Sequence, residues 1–191
     1  MQESIRKADI LIEALPYIQA FHGTVMVAKY GGSAIDNPAT MRGILQDLIF
    51  LRAVGIRAVL VHGGGPMITR KLSSAGKNAA FIEGMRVTDH ETIHIVTHEL
   101  EFVNTRLVEQ VKALGGAAEG VLPRDGVILA QPHGDAARLG FVGSVQRVDV
   151  ARLERLFERR VIPIIAPLGV EGKQLYNINA DHVASGVAAH L

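Results

Sequence analysis

Cysteine is absent from the 191 residues, and neither sign of charge is in marked excess. Without cysteine the chain has no disulfide, no thiol chemistry and no cysteine-ligated zinc. Twenty lysines and arginines stand against 19 acidic residues, for a formal net charge of +1, whereas a nucleic-acid-binding protein usually has a basic excess. No apolar run reaches the roughly 18 residues of a membrane span, and the N-terminus lacks a signal-peptide pattern. We therefore expect a soluble, cytoplasmic protein with no nucleic-acid and no membrane partner.

The composition is that of a folded chain with a distinct first segment. Hydrophobic residues make up 48% of the sequence and charged residues 20%, which argues against disorder. We divide the chain into an N-terminal amphipathic helix, residues 1–22, and a main domain, residues 23–191. Pro16 is expected to kink or split that helix, because proline lacks an N–H and its ring clashes one turn back. The apolar face of the helix packs either on its own domain or on another subunit.

The main domain begins with strands and helices in alternation. An apolar strand at 24–29, a helix at 38–54, a strand at 57–61 and a helix at 66–75 predict an α/β fold. We expect an open, mainly parallel central sheet flanked by helices, a three-layer α/β/α arrangement. In such sheets ligands bind at the carboxyl ends of the strands.

The rest of the chain continues the same pattern with more turns. We predict a helix at 89–114, strands with a hairpin at 117–147, a helix at 149–159, a strand at 161–166 and a hairpin at 169–178. Asn179 or Asp181 is then expected to cap a last helix.

Two glycine-rich turns follow the first two strands. They read Lys-Tyr-Gly-Gly-Ser at 29–33 and His-Gly-Gly-Gly-Pro at 62–66. Successive glycines allow backbone N–H groups to converge on an anion, and Lys29 adds a positive charge. Neither turn is a Walker A loop or a G-x-G-x-x-G dinucleotide fingerprint. Each alone is also compatible with a plain strand-to-helix turn, but together they favour a phosphate-containing ligand.

Two further segments carry polar side chains next to helix starts. Arg86 lies just ahead of the helix that Thr88 or Asp89 is expected to cap, and an arginine fork suits a carboxylate. A plain surface arginine is the alternative. In the last segment, alternation directs Asn177, Asn179 and Asp181 to one side, where they either contact a ligand or simply cap the helix.

A possible metal motif occupies the long helix. His-Glu-Thr-Ile-His at 90–94 fits the H-E-x-x-H pattern of zinc peptidases, and His98 follows one turn later. The usual downstream third ligand is missing at its expected spacing, and a zinc site leaves the glycine turns unexplained. We therefore favour solvent-exposed histidines and predict no metal ligands, with a zinc peptidase as a remote alternative.

Taken together, these features resemble the amino acid kinase family, and within it the members that phosphorylate N-acetyl-L-glutamate. Four segments, in family order and with family-like spacing, carry the resemblance: Lys-Tyr-Gly-Gly-Ser-Ala at 29–34, Val-His-Gly-Gly-Gly-Pro at 61–66, Gly-Met-Arg-Val-Thr at 84–88 and Tyr-Asn-Ile-Asn-Ala-Asp at 176–181. The resemblance implies transfer of the γ-phosphoryl group of ATP, with Mg²⁺, to the side-chain carboxylate of N-acetyl-L-glutamate. That reaction is the second step of arginine biosynthesis.

The resemblance also implies the catalytic and phosphate-binding residues. Lys29 is expected to stabilise charge on the transferring phosphoryl group, and Asp181 to orient catalytic lysines. Gly31, Gly32 and Gly64 are expected to offer backbone N–H groups to the phosphates and to the reacting carboxylate.

By the same resemblance, the substrate-binding set consists of Gly64, Gly65, Arg86, Asn177 and Asn179. Arg86 is expected to hold the α-carboxylate of the acetylamino acid.

Family members continue for roughly another hundred residues, a domain-sized piece, which holds most of the ATP site and a second catalytic lysine. The chain is therefore expected to be a truncated form with little turnover alone. A non-catalytic ligand-binding or regulatory remnant of the same fold is the alternative. The helix around Leu15, Pro16 and Tyr17 resembles an extension that interlaces dimers into a hexameric ring, so we expect a homo-oligomer.

Overall fold

The computed structural model describes residues 2–32, 35 and 37–191, and within them it has seven α-helices and ten strands. The helices are α1 (Gln2–Phe21), α2 (Pro38–Ala53), α3 (Gly65–Ser74), α4 (His90–Ala113), α5 (Ala136–Leu139), α6 (Val150–Glu158) and α7 (Ala180–His190). The strands are β1 (Val25–Tyr30), β2 (Arg57–His62), β3 (Phe81–Ile82), β4 (Met85–Arg86), β5 (Ala118–Val121), β6 (Ile128–Pro132), β7 (Gly143–Val148), β8 (Ile162–Ile165), β9 (Leu168–Glu171) and β10 (Gln174–Asn177). A short 3₁₀ helix spans Pro123–Asp125.

The central sheet has four parallel strands in the order β1-β2-β8-β5. The register pairs Tyr30 with His62, so β1 and β2 end side by side. All six residues of β2 except the first are buried, as expected for a parallel strand covered on both faces. The predicted α/β fold with a mainly parallel sheet is confirmed.

Helices cover both faces of this sheet. Side chains of α2 and α4 share one core with Ala58 and Leu60, whereas α6 and α7 share the other with Val59 and Val61. This alternation follows from the period of two in a strand, which sends successive side chains to opposite faces. The result is the expected three-layer arrangement.

A second sheet of four strands has the order β10-β9-β6-β7. Two antiparallel hairpins, β9–β10 and β6–β7, meet through a parallel pairing of Leu129 with Val170. Both hairpins lie where the sequence predicted them, and Gly172 has the positive φ of 59° that the β9–β10 turn needs.

Helix α1 is a single helix that contains Pro16. The predicted alternative of a split helix is therefore wrong, because the carbonyl freed by Pro16 lies one turn back at the exposed Ile12, where water can satisfy it. Its apolar side chains are largely exposed, including Leu11 at 65% and Tyr17 at 67%. Among the helices of the described residues, none combines the length and apolar composition of a membrane span.

Three short elements were not predicted from the sequence. The hairpin of β3 and β4 has two residues in each strand, with Glu83 and Gly84 at positive φ between them. Helix α5 and the 3₁₀ helix at Pro123–Asp125 are one turn each. None of these is long enough to show a periodic pattern.

Candidate functional site

A cleft of about 360 Å³ opens at the carboxyl ends of β1 and β2. It is closed on the far side by the β3–β4 hairpin and by the end of β10. Eight of the nine predicted site residues line it: Lys29, Gly31, Gly32, Gly64, Gly65, Arg86, Asn177 and Asn179. The ninth, Asp181, does not line the cleft but forms an ion pair with Lys29, which does. Ser33 and Ala34, which complete the first glycine motif, lie outside the described residues.

Lys29 and Asp181 form an ion pair at the rim of this cleft. Val25 and Val27 of β1 pack toward α6 and α7, and the same parity directs Lys29 toward α7. There its Nζ lies 3.0 Å from Oδ1 of Asp181. The lysine side chain is 35% exposed and the aspartate 67%, so the pair is accessible to a charged ligand.

Helix α7 begins beside the cleft and is capped by Asn179. The side chain of Asn179 accepts a hydrogen bond of 2.8 Å from the backbone N–H of Asp181. Gly64 and Gly65 likewise place the start of α3 on the cleft. Two helix N-termini, each the positive end of its helix dipole, therefore lie along the same cleft as Lys29.

The two glycine turns contact each other directly. A Cβ added at Gly63 would lie 3.2 Å from the Cα of Gly31, and the Gly63 N–H donates to the carbonyl of Tyr30 at 2.7 Å. A Cβ at Gly64 would lie 2.8 Å from Leu100 Cδ2. The close approach of two backbones explains glycines here better than a bare turn does.

Arg86 is buried beneath the cleft, with 7% of its surface exposed. Its Nη2 donates to the Gly65 carbonyl at 3.1 Å and to Thr69 Oγ1 at 2.9 Å, and the guanidinium lies 4.6 Å from the Phe81 ring centre. Its Nη1 is buried and has no hydrogen-bond partner among the described residues. Burial lowers the pKa of Arg86, because a charged group loses solvation there.

Thr88 connects Arg86 to Asn177, a role that sequence analysis missed. Its buried Oγ1 donates to the Arg86 carbonyl at 2.7 Å and accepts from Asn177 Nδ2 at 3.2 Å. Gly140 packs against the same residue, since a Cβ there would lie 2.3 Å from the Thr88 carbonyl oxygen. The sequence marks Thr88 as the end of the motif at 84–88 and as a possible helix cap, but Asp89 caps α4, and neither feature indicates the contact with Asn177. Nothing in the local sequence marks Gly140.

A second buried group, also missed, lies behind the second glycine turn. His62 is fully buried at the end of β2. Its Nδ1 lies 2.9 Å from the Gly63 carbonyl oxygen, and its Nε2 lies 3.1 Å from Nδ2 of Asn104 on α4. The Asn104 Nδ2 also donates to the Ile164 carbonyl of β8 at 2.7 Å. Burial lowers the pKa of His62 to about 4.

The histidines of the H-E-x-x-H motif lie on α4, at its start. The rings of His90 and His94 contact each other edge to face at 5.0 Å, while His98 is exposed and lies beside Glu99. In the ranges that the structure describes, no group of three histidine, aspartate or glutamate side chains could hold a metal ion.

Comparison with known proteins agrees with this geometry. The sequence pattern described as "Amino acid kinase family" matches residues 24–191. The acetylglutamate kinase of Syntrophomonas wolfei is 42% identical over 98% of this chain and 67% of its own length. That of Neisseria gonorrhoeae is 44% identical over 97% of this chain and 65% of its own. The chain thus spans about two thirds of the length of these curated relatives.

A solved structure is similar as well. The N-acetylglutamate synthase from Neisseria gonorrhoeae, complexed with coenzyme A and N-acetyl-glutamate, has a TM-score of 0.81 at 25% identity. The match covers 93% of this chain and 42% of that one. Sequence pattern, relatives and fold lead to the same conclusion: the chain belongs to the amino acid kinase family.

Proposed function

We propose that this chain binds N-acetyl-L-glutamate and presents the side-chain carboxylate of this substrate to the γ-phosphoryl group of ATP. The resulting phosphoryl transfer is the second step of arginine biosynthesis. The observation that carries the proposal is the unpartnered, buried Nη1 of Arg86, in the same cleft as Lys29 and both glycine turns. A volume of about 360 Å³ suits a small ligand, at the lower end of the range for such sites.

Arg86 supplies the group for the α-carboxylate. Its Nη2 is already engaged by Gly65 and Thr69. The carboxylate would therefore accept from Nη1, after a turn of the guanidinium that brings this covered nitrogen to the cleft. The lowered pKa of Arg86 reflects poor solvation of its charge, and an anionic ligand offsets that cost.

Asn177 supplies a complementary acceptor. Its Nδ2 donates to Thr88, which leaves its Oδ1 for an N–H donor such as the acetamido group. Selectivity for an acetylated substrate is expected from this acceptor, and it separates the chain from relatives acting on aspartate, glutamate, carbamate or uridylate.

The phosphoryl transfer then needs positioning and charge stabilisation more than acid–base chemistry. An oxygen of the side-chain carboxylate forms a bond to the γ-phosphorus while the bond to the β–γ bridging oxygen breaks, which yields ADP and an acyl phosphate without proton transfer. Lys29, with the N-terminal N–H groups of α3 and α7, would stabilise the charge on the moving phosphoryl oxygens. Asp181 would orient Lys29, and Mg²⁺ bound to the nucleotide would supply charge neutralisation at its phosphates.

Isothermal titration of the 191-residue protein with N-acetyl-L-glutamate tests the substrate assignment. We expect saturable binding that Arg86→Ala weakens by about 100-fold, the value of one to two hydrogen bonds to a charged group. Arg147→Ala, at an exposed position of β7, serves as the matched control and should bind normally. Unmodified L-glutamate should bind much more weakly. A folded protein that shows no heat with N-acetyl-L-glutamate would refute the proposal.

Catalysis is tested by trapping the acyl phosphate as a hydroxamate in the presence of ATP and Mg²⁺. The chain is assayed alone and joined to the part of the Syntrophomonas wolfei relative that it does not cover. We expect product from the joined protein and little from the chain alone. If the joined protein binds both ligands and forms no product, the non-catalytic alternative is correct.

We further infer that α1 is an oligomerisation element rather than part of the ligand-binding domain at 23–191. The support is the exposure of its apolar side chains, among them Ile5, Leu11, Ile12 and Tyr17. Such a surface is usually covered by a partner, and a second copy of this chain, in a dimer or a hexamer, is the proposed one.

A further inference from the structure

We propose that His62 and Asn104 are positioning residues that fix the orientation of the Gly63–Gly64 peptide, so that the Gly64 N–H faces the reacting carboxylate and phosphoryl group. This inference rests on the function proposed above. Neither side chain lines the cleft, and both act through the backbone of the glycine turn.

The position of His62 follows from strand parity. Ala58 and Leu60 of β2 pack in the core shared with α2 and α4, and His62 points to the same face because it is two residues further on. There it meets Asn104, which is 1% exposed on α4. Two buried polar side chains in an apolar core are costly unless they are hydrogen-bonded.

The hydrogen-bond pattern determines how both side chains are oriented. The Ile164 carbonyl can only accept, so the carboxamide of Asn104 must present its NH₂ group there. The second proton of that NH₂ group points to Nε2 of His62, which must therefore be unprotonated. The proton of the neutral ring is then on Nδ1 and is donated to the Gly63 carbonyl at 2.9 Å.

The neutral form of the ring is secured by its surroundings. Burial holds the pKa of His62 at about 4, so near pH 7 the imidazole has one donor and one acceptor. The neutral ring thus fits its two neighbours: the Gly63 carbonyl accepts from Nδ1, and the Asn104 carboxamide donates to Nε2.

Holding the Gly63 carbonyl also fixes the next N–H. In a planar trans peptide the C=O and the following N–H point in opposite directions. A carbonyl drawn toward His62 therefore directs the Gly64 N–H away from the histidine, to the side where Gly63, Gly64 and Gly65 line the cleft. Because both residues of this peptide are glycine, no side chain restrains it locally, and the restraint comes from His62.

The neighbouring strand is shaped to keep Asn104 in place. A Cβ at Gly120 of β5 would lie 2.2 Å from Oδ1 of Asn104, so glycine is required for the carboxamide to fit over the sheet. The contacts that hold His62 and Asn104 therefore come from four elements: β2, β5, β8 and α4. It connects the centre of the sheet to the turn that faces the ligand.

Nuclear magnetic resonance of the ¹⁵N-labelled 191-residue protein tests the proposal in two steps. In the unaltered protein, the ring nitrogens of His62 should show protonated Nδ1 and unprotonated Nε2 at pH 7. The opposite tautomer would overturn the proposal without any variant being made.

The second step compares two variants during titration with N-acetyl-L-glutamate. His62→Asn keeps a donor at the δ position, whereas His62→Gln keeps an acceptor at the ε position and loses that donor. We expect the Gly64 amide resonance to move on ligand binding in the unaltered protein and in His62→Asn. In His62→Gln we expect less than half of that movement, while the Arg86 side-chain resonance still responds.

The outcomes separate the two proposals. If neither Arg86 nor Gly64 responds to the ligand, the proposed function fails. If Arg86 responds and Gly64 moves equally in both variants, the ligand assignment stands and the positioning role is wrong. Thermal unfolding of each variant confirms that the compared samples are folded, and an equal loss of stability in both, with unchanged Gly64 movement, would indicate a purely structural role.

Discussion

Lys29 Nζ and Asp181 Oδ1 lie 3.0 Å apart and connect the end of β1 to the first turn of α7. Residues 152 positions apart in the chain thus meet at the rim of one cleft. The pair is too exposed to contribute much to stability, since exposed ion pairs contribute about 0–1 kcal/mol. Its place in the first turn of α7, at the rim of the cleft, agrees with the phosphate-binding role proposed above for Lys29.

We predict that Asp181→Asn separates stability from catalysis. The unfolding free energy should fall by less than about 1 kcal/mol, as measured by urea unfolding. In the joined protein of the hydroxamate assay, product formation should fall at least about tenfold, because the unpaired lysine is no longer held in place. An unchanged rate would exclude the orienting role of Asp181.

We predict that Gly63→Ala disrupts the contact between the glycine turns. The new Cβ would lie 3.2 Å from the Gly31 backbone, and neither backbone can move aside without shifting its turn. Affinity for N-acetyl-L-glutamate should fall at least about tenfold, or by about 1.4 kcal/mol. Gly43→Ala in α2, where an added Cβ meets nothing within 4 Å, should leave affinity unchanged and stabilise the helix slightly. Equal affinities for the two variants would contradict this prediction.

We predict that Thr88→Val weakens ligand binding from behind the site. The substitution keeps the shape of the side chain and removes the Oγ1 that joins the Arg86 carbonyl to Asn177. Leaving buried groups unpaired costs about 1–3 kcal/mol, visible in urea unfolding, and calorimetry should show weaker binding as well. The control is Thr105→Val, at an exposed position on α4. Normal binding by Thr88→Val would show that Arg86 and Asn177 are positioned independently.

We predict that stability falls in mildly acidic solution because of His62. Its pKa is about 4 in the folded protein against 6.5 for a free histidine, so the unfolded chain takes up a proton first as the pH falls. The unfolding free energy should be level above about pH 6.5 and decrease toward pH 4, by at most about 3 kcal/mol. Urea unfolding between pH 4.5 and 7.5 measures this slope.

Two comparisons make the pH prediction specific. His62→Asn removes the titrating ring and should flatten the slope in that range. Asp89 contributes at lower pH, since hydrogen bonds from Thr92 and the ion pair with Lys77 hold its pKa well below the usual range. A slope that is unchanged in His62→Asn would assign the effect to other groups.

We predict that removal of residues 1–22 reduces the oligomer without unfolding the remaining domain. Light scattering coupled to gel filtration measures the mass, and circular dichroism checks the fold. Leu11→Asp should have the same effect as the deletion because Leu11 is 65% exposed and apolar. Ala20→Asp, about 180° away on the helix, adds the same charge and should leave the mass unchanged. An equal number of subunits in all four proteins would exclude α1 as the interface.

The sequence predicted the structural features that depend on neighbouring residues, and it did not predict those that depend on contacts between distant parts of the chain. The strands before the glycine turns and the long helix α4 were predicted closely because apolar period and caps are properties of neighbouring residues. Motifs alone made Arg86 and Asn177 candidate site residues, and both line the cleft. Their link through Thr88 and Gly140 was not predicted, because it depends on a contact between residues far apart in the chain. His62 was read only as part of a glycine motif, since its partner Asn104 lies on another element with no local marker.

The strand order β1-β2-β8-β5 also affects how the protein folds during its synthesis on the ribosome. Strand β8 (Ile162–Ile165) lies between β2 and β5, which both precede it in the chain. A ribosome that has released only the first three quarters of the sequence leaves a gap in the middle of the sheet, with two unpaired strand edges that invite aggregation. The carbonyl that anchors Asn104 belongs to that same strand. Synthesis of β8 therefore fills the gap between β2 and β5 and at the same time supplies the carbonyl that holds Asn104.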